Sequence, residues 1–396
     1  MTDLDHRLRE HLAYAYENAP AVKNIFDQRG LRPTDIQTVA DLAKLPIISK
    51  DDFSAMQQAH PPFGGWLAVP LSQLDRIYMS PGPIYDPHSG KSSAVGDDAT
   101  VTLKAAGFGE GDIVINAFLY HLVPAGLLFD EALLAAGATV VPLGPGNTEI
   151  HVKVMLDLQV TGYVGTPSFL SIILDKAAEM GIPKEKLALK KAFFSAEPYP
   201  PSLREKFEQT YGLQTAQAYA TADLGIIAYQ LFGQQDFTIP DNQIVELVDP
   251  NTGEPVEEGT PGEVVVTKFD RVYPLLRFGT GDMAVMIPGT GRLYGLVGRS
   301  GDAIKVRGMF LHPNQIRAVM NNFPEVKNMQ AIITRDGVRD IVTLHVVTAD
   351  GNANLENKRD AIKSALQQFA RLSINEIKFV DTVEGERMIV DKRTWD

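Results

Sequence analysis

Three stretches of this 396-residue chain combine glycine, hydroxyl groups and carboxylates as a nucleotide site does. Ser195-Ala196-Glu197-Pro198-Tyr199 follows a run that reads as a buried strand. Gln217-Ala218-Tyr219-Ala220-Thr221-Ala222-Asp223-Leu224-Gly225 reads as a loop after a helix ending near Tyr211-Gly212. Arg277-Phe278-Gly279-Thr280-Gly281-Asp282 ends in a carboxylate held by a glycine turn. Taken singly, each also reads as an ordinary turn.

The surrounding pattern is one that gathers loops at one end of a sheet. Residues 4–18 and 35–44 carry helical periodicity, and Ile113-Val114-Ile115 reads as a short buried strand ending at Asn116. A helix over 127–136 stops at Gly137, and strand 138–143 follows. Helix 151–159, strand 162–165, helix 168–180 and strand 191–195 continue the alternation, which predicts an α/β body with a mostly parallel sheet and ligands beyond the strand carboxyl ends. Past residue 240, short strands at 243–248 and 262–267 mark a β-rich subdomain. From about 300 the pattern is a hairpin, a helix near 314–322, strands 329–335 and 340–347 joined at Asp336-Gly337, helix 354–371 and a last strand near 376–380. That is a small α+β module, with its boundary at Gly298-Arg299-Ser300-Gly301-Asp302. The expected domains are therefore 1–299 and a mobile 300–396.

Composition removes several function classes. A net charge of −12 argues against nucleic-acid binding, which rests on Lys and Arg against phosphates. With no cysteine there is no disulfide, zinc thiolate or thiol nucleophile. The polar, acidic start Met-Thr-Asp-Leu-Asp-His-Arg is unlike a secretory signal and no apolar run is long enough to span a bilayer, so the expected location is cytoplasmic with no membrane partner.

In their order along the chain, the motifs resemble the phenylacetate-CoA ligase branch of the adenylate-forming superfamily. The resemblance starts at Leu45-Pro46-Ile47-Ile48-Ser49-Lys50-Asp51-Asp52-Phe53 and Pro62-Phe63-Gly64-Gly65-Trp66. It runs through Gly165-Thr166-Pro167-Ser168 and the three stretches above, and ends at Gly298-Arg299, Ile304-Lys305-Val306-Arg307-Gly308, His312-Pro313 and Val390-Asp391-Lys392-Arg393. It implies a carboxylic acid activated with ATP as an acyl-adenylate and passed to CoA, with Mg2+ assisting. Carried over by position, Ser195, Ala196 and Glu197 line the adenine, Tyr219 flanks the nucleotide, and Asp282 accepts both ribose hydroxyls. Arg299 sits at the ribose or phosphate side, and Asp223 is the magnesium carboxylate. Phe118, Tyr120 and His121 match the acyl-pocket segment, which suggests an apolar, aromatic acid; His121 reads equally as a hydrogen-bonded core histidine. Lys305 and Arg307 are candidates for CoA phosphates, or solvated charges on an exposed hairpin. A homodimer would be in keeping with the family.

The departures cluster where phosphates are handled. The loop that in relatives is rich in hydroxyls, glycine and lysine reads Ser80-Pro81-Gly82-Pro83-Ile84-Tyr85-Asp86-Pro87, which removes amide donors and places a carboxylate at the lysine position. Ala222 and Asp223 stand for a hydroxyl and a Glu, Gly301 for a hinge Asp, and Glu386 for the adenylation lysine unless Arg387 takes that role. The expectation is a CoA ligase with weakened adenylation. Its alternatives are ATP-independent acyl transfer between CoA and another thiol, such as that of an acyl carrier protein, and a noncatalytic partner subunit.

Overall fold

The computed structural model describes residues 3–80, 84–89, 94–250, 252–299, 304–307, 309–311, 313–348, 356–370, 372–385 and 387–394. Pro81, Gly82, Pro83, Ser300, Gly301, Asp302, Gly308, His312 and Glu386 from the motifs above lie outside the described residues. By contact density the chain forms two units, Met1–Ala196 with Arg204–Ser300, and Glu197–Leu203 with Gly301–Asp396.

The first unit opens with α1 (Asp3–Asn18), α2 (Pro20–Gln28) and α3 (Lys50–Ala59). The helix expected over 35–44 is instead two 3-10 turns, Pro33–Asp35 and Val39–Lys44. Asp41 explains the break, since its carboxylate accepts from the amides of Gln37 and Thr38 at 3.0 and 2.9 Å and caps a fresh turn. β1 (Arg76–Ser80) and β2 (Ile84–His88) then form an antiparallel hairpin in register Tyr78 to Asp86 and Ser80 to Ile84.

The alternating region is as the periodicity predicts. β3 (Ile113–Asn116), β4 (Thr139–Val141), β5 (Gly162–Gly165), β6 (Lys191–Phe194), β7 (Gln214–Thr221) and β8 (Gly225–Gln230) make a six-stranded sheet of order β4-β3-β5-β6-β7-β8. It is parallel except for β8. α4 (Ala94–Ala105), α5 (Ala125–Ala136), α6 (Thr148–Asp157), α7 (Pro167–Glu179) and the short α8 (Pro201–Glu205) intervene. α6 begins three residues earlier than the hydrophobic pattern predicts because Asn147 caps it, accepting from the Ile150 amide at 3.2 Å. The stretch around Tyr219 is not a loop: it is the β7–β8 hairpin, buried enough to hold Tyr219 8% exposed.

β9 (Gln243–Val248), β10 (Pro261–Lys268), β11 (Phe278–Ile287) and β12 (Arg292–Arg299) form an antiparallel sheet of order β12-β11-β10-β9. Their inward side chains join Leu8, Leu12, Phe26, Phe53 and Trp66 in one buried cluster. Burial of this apolar surface at about 25 cal/mol per Å2 holds the N-terminal helices on the sheet.

The second unit contains β13 (Ile304–Val306), β14 (Met309–Leu311), α9 (Pro313–Asn321), β15 (Val326–Asp336), β16 (Arg339–Thr348), α10 (Arg359–Ala370) and β17 (Glu376–Phe379). A further strand unread in the sequence, β18 (Ile389–Asp391), pairs in parallel with β15. Three residues without alternation give no period to detect. Gly337, at φ 56°, makes the tight turn expected between β15 and β16. Among the described residues no helix is long and apolar enough to cross a membrane.

Candidate nucleotide site

Asp282 lies inside β11, where the sequence suggests a turn. The pairing with β10 shifts between Glu263 and Val265, so Thr280, Gly281 and Asp282 face a single residue of the partner strand. Gly281 has φ 72°, a conformation that costs a residue with a Cβ, and this bulge re-aims the Asp282 side chain. β7 brings Tyr219 to it: the phenol donates to Asp282 Oδ2 at 2.9 Å and lies 3.1 Å from Thr280 Oγ1. The Asp282 amide donates to Thr280 Oγ1 at 3.1 Å, which in turn donates to the Val264 carbonyl at 2.9 Å. Burial, then the Asp282 charge, pushes the Tyr219 phenol well above its ordinary range, so it stays a donor. Arg299 is the cross-strand partner of Asp282, with Nε 3.4 Å from Oδ1.

The end of β6 supplies Ser195 and Ala196. Ser195 donates its hydroxyl to the Ala218 carbonyl at 3.0 Å, so what this turn can offer a ligand is backbone and shape. Ala196 is held at φ 75°, a strained position for a residue with a side chain. Glu197 is half-buried and groups with the second unit.

Asp223 sits in the turn between β7 and β8 with its side chain 2% exposed. Both carboxylate oxygens are engaged: Lys50 Nζ donates to Oδ2 at 3.0 Å, and Ser80 Oγ to Oδ1 at 3.3 Å. Lys50 is a member of this corner to which the motif reading assigns no role. The local signal is the Ser49–Asp52 capping box that starts α3 at Lys50. Its partner is 173 residues away and leaves no trace in spacing. The segment just before α3 is fixed to β11, since Ile48 donates to the Arg277 carbonyl and accepts from the Gly279 amide, both at 3.0 Å. One backbone pairing therefore carries Lys50 on one side and Asp282 on the other.

Asp86 does not lie on an open loop as its sequence position suggests, but is buried in β2. It is 6% exposed, and burial followed by the neighbouring Asp223 carboxylate pushes its carboxyl well above the usual range. The exposed residue of β2 is Tyr85, whose amide and carbonyl are both held by the Gln57 side chain at 2.8 and 2.7 Å.

The acyl-pocket candidates do not share one wall. Phe118 is buried and stacked on Phe129 at 5.1 Å. Tyr120 donates to Asp130 Oδ2 at 2.7 Å. His121 is exposed, so it is not a core histidine. The segment is anchored by Asn116, which donates to the Gly126 carbonyl at 2.7 Å and accepts from the Phe118 amide at 3.1 Å. A Cβ on Gly126 would lie 2.4 Å from the Leu119 carbonyl oxygen, so only glycine closes this turn.

In the second unit, the Lys305 side chain is outside what is described. Arg307 is neither a solvated hairpin charge nor a free phosphate ligand: its five N–H groups go to the Asp340 carbonyl twice, the Ser373 carbonyl and hydroxyl, and Asn375 Oδ1. Arg387 is exposed, and its carbonyl accepts from Gln330 Nε2 at 2.6 Å.

The donor set discriminates between the implied ligands. A two-oxygen acceptor oriented by a fixed phenol fits a ribose diol. The magnesium expectation fits poorly: both Asp223 oxygens are taken, and among the described residues no three His, Cys, Asp or Glu side chains converge to hold a metal.

Comparison with known proteins agrees with the motif order. Residues 99–269 match the AMP-binding enzyme family. The phenylacetate-coenzyme A ligase of Aromatoleum evansii is 30% identical over 383 residues, covering 91% of this chain and 85% of that protein. The enzyme of the same name from Thermus thermophilus is 30% identical over 369 residues, covering 87% and 81%. Among solved structures, 2-hydroxyisobutyryl-CoA ligase in complex with 2-HIB-AMP and CoA shares the fold at TM-score 0.90 and 23% identity, over 98% of this chain and 89% of that one. With that identity across nearly its whole length, the chain belongs to the phenylacetate-CoA ligase-like branch of the AMP-binding, adenylate-forming enzymes.

Proposed function

We propose that this protein activates an apolar, aromatic carboxylic acid with ATP as its acyl-adenylate and passes the acyl group to CoA. The observation that carries the reading is Asp282, a carboxylate set by a bulge and oriented by the Tyr219 phenol, at the position the family gives to the ribose. Ser195 and Ala196 supply the adjoining backbone, and Lys50 supplies a positive charge beside Asp223 where phosphate chemistry is expected. The cytoplasm is the proposed location, and 1–299 and 300–396 the proposed domains, the second moving against the first.

A second reading has one observation in its favour. Asp223 is already neutralised by Lys50, and Ala222 beside it carries no hydroxyl for a phosphate oxygen. That favours transfer of an already activated acyl group between CoA and another thiol, for which the adenosine corner suffices.

The test is to incubate the protein with phenylacetate, ATP and CoA and follow the thioester and AMP by mass spectrometry, alongside ATP/pyrophosphate exchange. Stoichiometric thioester and AMP support the ligase. Thioester from a supplied acyl-adenylate or acyl-CoA, with no exchange, selects the transfer reading. Inertness with every donor rejects both and leaves a partner-subunit role.

A further inference from the structure

Behind the β1–β2 hairpin lies a cavity of about 40 Å3, walled by Tyr78, Asp86 and His88, by Ala222 and Asp223 of the β7–β8 turn, by residues of the segment 268–275, and by apolar side chains of α4 and at the start of α5. Tyr78 and Asp86 are cross-strand partners and His88 is two residues further on, so the three side chains share one face of the hairpin. They are 5%, 6% and 8% exposed. Among the described residues, the Tyr78 hydroxyl, both Asp86 oxygens and both His88 ring nitrogens meet no hydrogen-bond partner at bonding geometry. Five such atoms around one cavity call for an occupant, because each buried polar atom left unmade costs roughly 1–3 kcal/mol.

Charge indicates which occupant. The carboxylates of Asp86, Asp98, Asp223 and Asp270 surround this region, against the ammonium groups of Lys50 and Lys268. Lys50 pairs with Asp223 at 3.0 Å and also lies near enough to favour the Asp86 carboxylate, while Lys268 pairs with Asp98 at 2.5 Å, so a single ammonium is shared between Asp86 and Asp223. A divalent ion is disfavoured, since no three His, Cys, Asp or Glu side chains converge among the described residues. One carboxylate, a phenol oxygen and an imidazole in a space of this size suit one singly charged ion that sheds its water readily.

We propose that this cavity is a monovalent-cation site for an ion of the potassium or ammonium class, held by the Asp86 carboxylate and the Tyr78 hydroxyl, with His88 accepting from an ammonium N–H or from a bridging water. The bound ion ties together β1, which ends at Ser80, and β2, which begins at Ile84, and Ser80 is a residue that donates to Asp223. The site stands on the cavity and its unpartnered atoms, and so does not depend on which acyl reaction the protein performs.

Thermal unfolding of the full chain in choline chloride, with choline replaced stepwise by potassium, ammonium, sodium or lithium at constant ionic strength, reads the site directly. The wild type should show a saturable rise in Tm of about 2 °C or more with potassium and ammonium, and less with sodium and lithium. Asp86→Asn keeps the shape and should lose the response while folding at least as well in choline. Crystals soaked in rubidium should show an anomalous peak in bonding range of Asp86 in the wild type, which keeps the test decisive if the variant does not fold. Comparing potassium with ammonium assigns the natural ion. A Tm that ignores all four cations, a response retained by Asp86→Asn, or water alone at Asp86 in the rubidium crystals would each overturn the proposal in favour of a protonated acid solvated by water.

Discussion

The Tyr219 phenol donates to Asp282 Oδ2 at 2.9 Å across 63 residues of chain, with both groups buried. A carboxylate so held loses little rotamer freedom when a diol arrives, and its lone pairs are left to accept. Replacing Asp282 with Ala should weaken AMP binding by roughly 10- to 100-fold, since hydrogen bonds to a charged group contribute about 1.5–3 kcal/mol each. Tyr219→Phe should cost less, because it loosens the acceptor without removing it. Titration calorimetry with AMP measures both; equal affinity of wild type and Asp282→Ala would remove the ribose assignment.

Lys50 and Asp223 make a testable pair. Lys50→Met leaves a carboxylate with a 2% exposed side chain and, among the described residues, the Ser80 hydroxyl as its remaining side-chain donor. Losing one partner of a buried pair costs about 3–5 kcal/mol; as Lys50 is 32% exposed, roughly 1–3 kcal/mol is expected here. Asp223→Asn in the same chain should recover most of that loss. Urea denaturation of the two single variants and the double variant gives the coupling energy, and strict additivity would show that the contact contributes nothing.

What the sequence conveyed and what it withheld divide along physical lines. The alternation from β3 to β6 was legible because buried parallel strands and amphipathic helices differ in period, and helix stops such as Gly137, at φ 97°, are local. The family was legible from motif order. The form of the site was not. The bulge that aims Asp282 is a property of two strands, and the Lys50–Asp223 contact joins residues 173 apart. Arg307 shows the opposite error: a basic residue in a motif reads as a ligand contact, whereas in the fold its five donors brace β16 and the residues just before β17. Asp86 reads as a charge on a loop, but strand pairing turns it inward.

Arg277 holds the entrance to the Asp282 strand. It is 2% exposed, adopts φ 44°, pairs with Glu246 at 3.1 Å, and donates to the Leu45 and Gly253 carbonyls at 2.6 and 3.3 Å. Arg277→Met should destabilise the protein by about 3–5 kcal/mol, because Glu246 is left buried and two carbonyls lose donors. Arg277→Met with Glu246→Gln should be milder. Denaturant midpoints decide this, and a loss under about 1 kcal/mol for Arg277→Met would show that the network relaxes onto water.

His11 sets an acid limit on stability. It lies in α1 at 7% exposure, its ring 5.3 Å from that of Phe269, and among the described residues Nε2 has no hydrogen-bond partner. Burial, reinforced by the Arg271 charge, lowers its pKa to about 4, against about 6.5 in an unfolded chain. Between those values the unfolded state binds a proton that the native state refuses, so stability must fall as pH drops from about 6.5 towards 4. The full difference is worth roughly 3 kcal/mol at the acid end of the window, at about 1.4 kcal/mol per pH unit. Raised carboxyls such as Asp86 and Glu246 act in the opposite direction, since the native state holds their protons more tightly. The wild-type curve alone is therefore a mixture, and the difference between wild type and His11→Leu isolates the histidine. Unfolding free energies measured by denaturant at about pH 7.5, 6.5, 5.5 and 4.5, which bracket the ordinary histidine pKa and reach towards the depressed one, should converge towards or cross those of His11→Leu as pH falls. Parallel curves for the two proteins across that range would show that the His11 ring takes up its proton equally in the native and unfolded states, so that burial does not depress its pKa.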